Sequence, residues 1–289
     1  MGQAKVTIVL RTASFSVVFG ILFALCVHVI IPWLLAITDV TPFIVTQVTT
    51  TLLVFMPIFV TTIALLRRDG VPLDWPSVKA RLRFRRVSPT DLAWMVGALA
   101  AGAALTVLVL QVVDWLPFLD AIALDSLAPY ELRPLVGFER LFILFMVVVF
   151  FFNYVGEEVL WRGYLYPIQE LALGRFTWLV NGALHAVFHM FMGWAAIAFM
   201  PMFLAFAFLF KKTKNVSVVI LMHLLLGAPT DILLAIGVII EAHLVGPPCS
   251  RSCPSPLRFV TPGGVRRHVF AAPTSGSSMN TMYGLRSSG

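Results

Sequence analysis

Seven long apolar stretches, at roughly 13–37, 43–66, 91–113, 138–156, 176–192, 194–210 and 216–240, constrain this chain more than any other feature. Each is near the ~20 residues that a helix, upright or tilted, uses to cross about 30 Å of hydrocarbon. Lipid offers no partner for a free backbone N–H or C=O, so a spanning segment is either helical or part of a closed barrel. The period-2 alternation of a membrane barrel is absent, and so is any internal repeat. The expectation is therefore an all-α, polytopic membrane helical bundle of about seven transmembrane helices. Composition agrees: 59% of the 289 residues are hydrophobic and 12% charged, where a soluble domain has roughly half and a quarter.

The net charge of +7 does not point to nucleic acid. The basic residues lie beside the apolar spans, with no interleaved aromatic platform, and suit anionic lipid headgroups instead. The loop after the second stretch carries Arg67, Arg68, Lys79, Arg81, Arg83, Arg85 and Arg86, which makes it cytoplasmic by the positive-inside rule. Counting spans from that loop puts the N-terminus inside, the acidic Asp114 to Glu131 connection outside, and Lys211, Lys212 and Lys214 inside again. A multi-pass protein of the cell membrane follows. Lys5 and Arg11 precede an apolar run too long for a signal-peptide core, so the first span is expected to be retained. From Gly246 the chain turns to Pro, Ser, Gly and Arg, the composition of a disordered tail. Cys26 reads as a packing residue within a span. Cys249 and Cys253 share the tail, and three cysteines form neither a disulfide scaffold nor a recognisable metal motif.

Ionisable side chains within membrane spans are rare and are candidates for function. The first cluster is Asn153-Tyr154-Val155-Gly156-Glu157-Glu158-Val159-Leu160-Trp161-Arg162. On a helix Glu157 and Glu158 point about 100° apart, so they serve different roles. Arg162, four residues after Glu158 and five after Glu157, can neutralise one carboxylate and leave the other for chemistry. The plainer alternative is an interfacial turn in which all three reach for water. In the second cluster His185 and His189 are one turn apart, a spacing that suits two metal ligands or one catalytic imidazole with an orienting neighbour. The third is His223, which could equally be a histidine bonded to a neighbouring helix's carbonyl. Depth links the clusters. At ~1.5 Å per residue Glu157 lies ~20 Å from Glu170, His189 ~21 Å from Arg175 and His223 ~14 Å from Lys214, so all three can meet in one cavity, with Asn153 at its border.

Glu157-Glu158-x-x-x-Arg162, with a histidine motif on a later helix and another histidine on a third, resembles the CPBP family of intramembrane proteases. That family includes type II CAAX prenyl endopeptidases and bacteriocin-immunity (Abi) proteins. WRGYLYPIQE, HAVFHMF and KKTKNVSVVILMH share the general look of its bacterial members, and the likeness runs from about Phe138 to Ile240. The resemblance divides the chain into N-terminal transmembrane helices and basic loop (1–137), a catalytic helical core (138–245) and the tail (246–289). It implies hydrolysis of membrane-associated peptides by a glutamate-activated water. Glu157 would be the general base, His189 would orient the water, Glu158 and Arg162 would hold the helix, and His223 would stabilise the oxyanion. Two positions depart from the motifs: His185 stands where Phe is expected, and Gly227 where Asn is expected. Restoring Asn at 227 is expected to leave activity equal or raise it, and Asn153 is a candidate replacement donor.

The family's description as metalloproteases implies Glu157, His189 and His223 as ligands of one divalent ion such as zinc. A glutamate–histidine pair can also activate water unaided, and that route is slightly preferred. The competing functions are a non-catalytic binding or immunity protein that keeps the fold, and a transporter with a proton relay. The absence of repeated halves counts against the transporter.

Overall fold

Apolar length turns into helix length for five segments of the chain, each long and apolar enough to cross a membrane. The computed structural model describes residues 2–114, 133–193 and 195–237, all within one unit, Met1–Val245. Helices α1 (Gln3–Ile37) and α2 (Pro42–Arg68) form the first hairpin. The short α3 (Trp75–Arg81) lies in the basic loop, with Asp74 accepting from the Ser77 N–H at 3.0 Å as its cap. A reciprocal Ser88–Asp91 capping box opens α4 (Pro89–Asp114). Then follow α5 (137–173), α6 (Thr177–Phe188), α7 (Met200–Thr213) and α8 (Val216–Ile236). The protein is an all-α membrane helical bundle. The acidic connection after α4 and the tail from Gly246 lie outside the described residues.

Seven spans were expected; the described residues show five segments long and apolar enough to cross a membrane, and the shorter helices α6 and α7 cover the expected stretches at 176–192 and 194–210. The run Gly137–Phe188 turns at Gly174, whose φ of 53° suits a residue without a Cβ, and this divides α5 from α6. Helix α6 has 12 residues and α7 has 14, or ~18 and ~21 Å at 1.5 Å per residue, short of the ~30 Å hydrocarbon layer. They run antiparallel. Lys211, near the end of α7, stands 5.5 Å from the ring of Trp178, near the start of α6. The two helices therefore form a hairpin, and Ala195, Ala196 and Ala198 near its tip are buried, so protein covers that stretch of backbone.

Among the described residues, four π-helical stretches widen the long helices: Cys26–Ile30, Thr51–Phe55, Phe151–Val155 and Val159–Leu165. Three of them end two residues before a proline, namely Pro32, Pro57 and Pro167. A proline lacks the N–H and collides with the carbonyl four residues earlier, so the preceding turn opens to relieve the contact. The remaining stretch has no proline after it. Together with Val159–Leu165 it flanks Glu157 and Glu158, where such turns commonly mark function.

The bundle keeps apolar side chains on its exterior and buries its charged cluster among the apolar side chains of its core. Leu144 and Val147 on α5 are 75% and 71% exposed, whereas Glu158 and Arg162 on the same helix are fully buried. At one end, Asn215 bonds the Arg85 N–H, the Arg86 carbonyl and Asp91, while Arg83 and Lys214 both pair with Glu170. The basic loop and the α7–α8 junction are thus fastened to the same end of the bundle.

Candidate active site

Glu157 and Glu158 occupy the single α-helical turn between the two π-helical stretches of α5. Their side chains diverge, as adjacent helical positions must. The Oε2 of Glu157 lies 2.9 Å from Nε2 of His185 on α6, and both residues are buried. On the other face Oε1 of Glu158 accepts from Arg162 at 3.2 Å and from Nδ1 of His223, on α8, at 3.0 Å. Arg162 is further held by the Phe203 carbonyl at 3.5 Å and lies over the ring of Phe206 at 5.5 Å. Taking two opposite charges out of water is tolerated here because each finds partners in the protein.

Hydrogen bonding assigns nitrogens to roles. A carbonyl only accepts, so His189 donates Nδ1–H to the His185 carbonyl at 3.0 Å. Its Nε2 is left as a lone-pair nitrogen, the form that accepts a proton or binds a metal. By the same logic His185 donates Nε2–H to Glu157, and its Nδ1 is buried without a protein partner. Glu158 Oε2 and Arg162 Nε are buried without one as well. Such atoms are normally completed by water, an ion or a ligand. The α7 side chains Phe203 and Phe206 wall the group: Phe203 is 5.0 Å from His185 and 4.6 Å from His189, and Phe206 is 5.0 Å from His223.

All five residues singled out from the sequence, Glu157, Glu158, Arg162, His189 and His223, fall in this one cluster, but the pairing differs from expectation. His185 rather than His189 bonds Glu157. The ligand atoms of Glu157, His185 and His189 lie within 4.8 Å of one another, and His223 is not in that group because Glu158 holds it against the other face of α5. One carboxylate and two imidazoles are the donor set of an open zinc site with three protein ligands. The residues present therefore fit a divalent ion, with His185 in the place given to His223.

Tyr154 and Asp231 were missed as partners. Tyr154 packs its ring against His223 at 4.9 Å and donates its hydroxyl to Asp231 at 2.7 Å, which also accepts from Gln47 at 3.2 Å. Gly227 is the reason that the ring fits. A Cβ at 227 would meet Oη of Tyr154 at 2.5 Å and Cε1 at 2.6 Å. The space that Asn would take at 227 is already filled by Tyr154. The lone signal in the sequence was a polar aromatic within the Asn153–Arg162 segment. A second pin, Asn181, donates to the Trp161 carbonyl at 3.1 Å and to Gln169 at 2.9 Å, fixing α6 to α5 beside the histidines.

No curated protein and no solved structure matches the chain. Residues 139–228 match a family model described as type II CAAX prenyl endopeptidase Rce1-like. The match begins at the foot of α5 and ends just past Gly227, so it takes in both carboxylates, Arg162 and the histidines of α6 and α8. Over this segment, which builds the whole buried cluster, the chain is similar to the type II CAAX prenyl endopeptidase Rce1-like family.

Proposed function

We propose that this protein is an intramembrane endopeptidase that hydrolyses membrane-associated peptides, with Glu157 as its general base. The observation that carries the reading is a fully buried carboxylate paired with His185 and adjacent to the lone-pair nitrogen of His189, inside a membrane bundle. Glu157 takes a proton from water while the oxygen attacks the peptide carbonyl, and then delivers that proton to the leaving amine. His189 aligns the water through Nε2. His223, fixed through Nδ1 by Glu158, is the donor for the oxyanion, and one such donor is worth ~3 kcal/mol where it acts. Arg162 holds Glu158 in place. A divalent ion held by Glu157, His185 and His189 would add Lewis-acid polarisation and a more acidic water.

The test is cleavage of a fluorogenic peptide in proteoliposomes, with and without a chelator. Glu157→Gln keeps volume while removing the base, so cleavage is expected to fall roughly 10²–10⁴-fold with the fold retained. Loss of activity with chelator, restored by a divalent ion, assigns the metal-assisted route. Equal cleavage by wild type and Glu157→Gln would remove the base from this role. A second reading, a non-catalytic binding protein on the same fold, is favoured by Gly227 in place of the motif's polar residue, and wild type that cleaves nothing in any lipid would establish it.

A further inference from the structure

An apolar groove of about 760 Å³ runs between α4 and the α6–α7 hairpin, within the size range of small-molecule sites. Its floor is made of small residues, including Gly97, Ala101 and Gly102, and its walls include Leu105, Leu204 and Phe208. Along α4 it extends from Trp94 to Val109, ~22 Å at 1.5 Å per residue, more than the ~15 Å hydrocarbon depth of one leaflet. The groove lies behind the active site. Pro201, Leu204, Ala205 and Phe208 of α7 face it, while Phe203 and Phe206 face the histidines.

One end of the groove is cationic. Lys212 Nζ stands 4.8 Å from the ring of Trp94 and 5.4 Å from that of Phe208; Lys211 Nζ stands 5.5 Å from Trp178 and 6.0 Å from Phe208. All three rings line the groove. The neighbouring cations Arg83 and Lys214 share the Glu170 carboxylate. Among the described residues, Lys211 and Lys212 form no ion pair with a carboxylate. Two uncompensated ammonium groups thus sit where an apolar channel meets the aromatic level of the membrane interface, the depth of a phosphate headgroup.

We infer that this groove is a binding site for an anionic phospholipid, with one acyl chain along α4 and the phosphate between Lys211 and Lys212. The ligand lies on the far side of α7 from Glu157, so it braces the hairpin that carries His185 and His189 and does not compete with a peptide. The inference is independent of catalysis.

Native mass spectrometry of the full chain in detergent, with equimolar phosphatidylglycerol and phosphatidylcholine of identical chains, tests it. Two lysines near an anionic headgroup predict roughly a 30-fold preference for phosphatidylglycerol, ~1 kcal/mol each. Lys211→Gln with Lys212→Gln should reduce that ratio to near unity. Gly97→Leu projects into open space, since a Cβ there meets nothing within 4 Å; it should block the channel and release both lipids while helicity and elution volume stay unchanged. The milder Gly97→Ala should keep the lipid. Inorganic phosphate at millimolar concentration should not displace it. Equal retention of the two lipids by wild type, an unchanged ratio in the lysine variant, undiminished binding by a folded Gly97→Leu, or displacement by phosphate alone would each overturn the assignment.

Discussion

Gly227→Asn tests whether Tyr154 owns the space beside His223. The new Cβ would stand 2.5 Å from Oη, 2.6 Å from Cε1 and 2.7 Å from Cζ of Tyr154, so the ring as a whole must move. It has little freedom to do so: Tyr154 is 3% exposed, its hydroxyl is tied to Asp231, and its ring lies 5.3 Å from Phe150 and 4.9 Å from His223. Overpacking of this kind costs ~1–3 kcal/mol, and a buried amide without partners adds about as much. Asn is only slightly better than Gly in a helix, a few tenths of a kcal/mol, and does not offset the clash. The expected loss is ~2–5 kcal/mol, a fall in Tm of at least about 4 °C in a detergent-solubilised thermal melt. Tyr154→Phe should not rescue it, because Cε1 and Cζ remain. Tyr154→Ala should, giving a favourable coupling of ~0.5–3 kcal/mol in the double-mutant cycle. Gly227→Asn that melts with wild type, or a cycle with no coupling, would refute the reasoning.

Arg162→Met leaves Glu158 buried with only His223 as its partner and should cost ~3–5 kcal/mol, read as a lower Tm and yield; adding Glu158→Gln should recover part of the loss, since the stranded charge is gone. The shared end of the basic loop and the α7–α8 junction predicts that single cysteines in 67–86 and at 211–214 label from the same side of intact cells, the cytoplasmic one; labelling from opposite sides would contradict the packing, and labelling of both from outside would invert the orientation.

The spans were legible because hydrocarbon imposes one requirement, helices with apolar exteriors, and the sequence meets it segment by segment. What hydropathy does not record is whether an apolar segment crosses the membrane. The stretches at 176–192 and 194–210 are apolar enough, yet their helices α6 and α7 are ~18 and ~21 Å long and turn back on each other. The turn at Gly174 and the length of each helix bear on this, and neither alters an average over a window. The divergence of Glu157 from Glu158, and the Glu158–Arg162 pair, were legible because both follow from helical spacing within one segment.

Pairings between helices were less legible, and the histidines show why. His185 and His189 share one spacing, so a helical wheel puts both before Glu157. Helix α6 ends at Phe188, however, and His189 has φ −87° and ψ 22°, off the helical path. Its Nδ1 then turns back to the His185 carbonyl, leaving His185 as the imidazole in register with Glu157. That exchange also bears on the departure from the Phe of the family motif. An apolar ring at 185 could not bond Glu157, and the carboxylate would lose its one direct partner in the cluster. His185→Phe would therefore change the environment of the base itself, so the motif's apolar position has become part of the polar site in this chain. The same complementarity links Gly227 to Tyr154. Each substitution looks like a loss in the motif where it occurs, and each is matched by a side chain on another helix, a relation that no single segment can display.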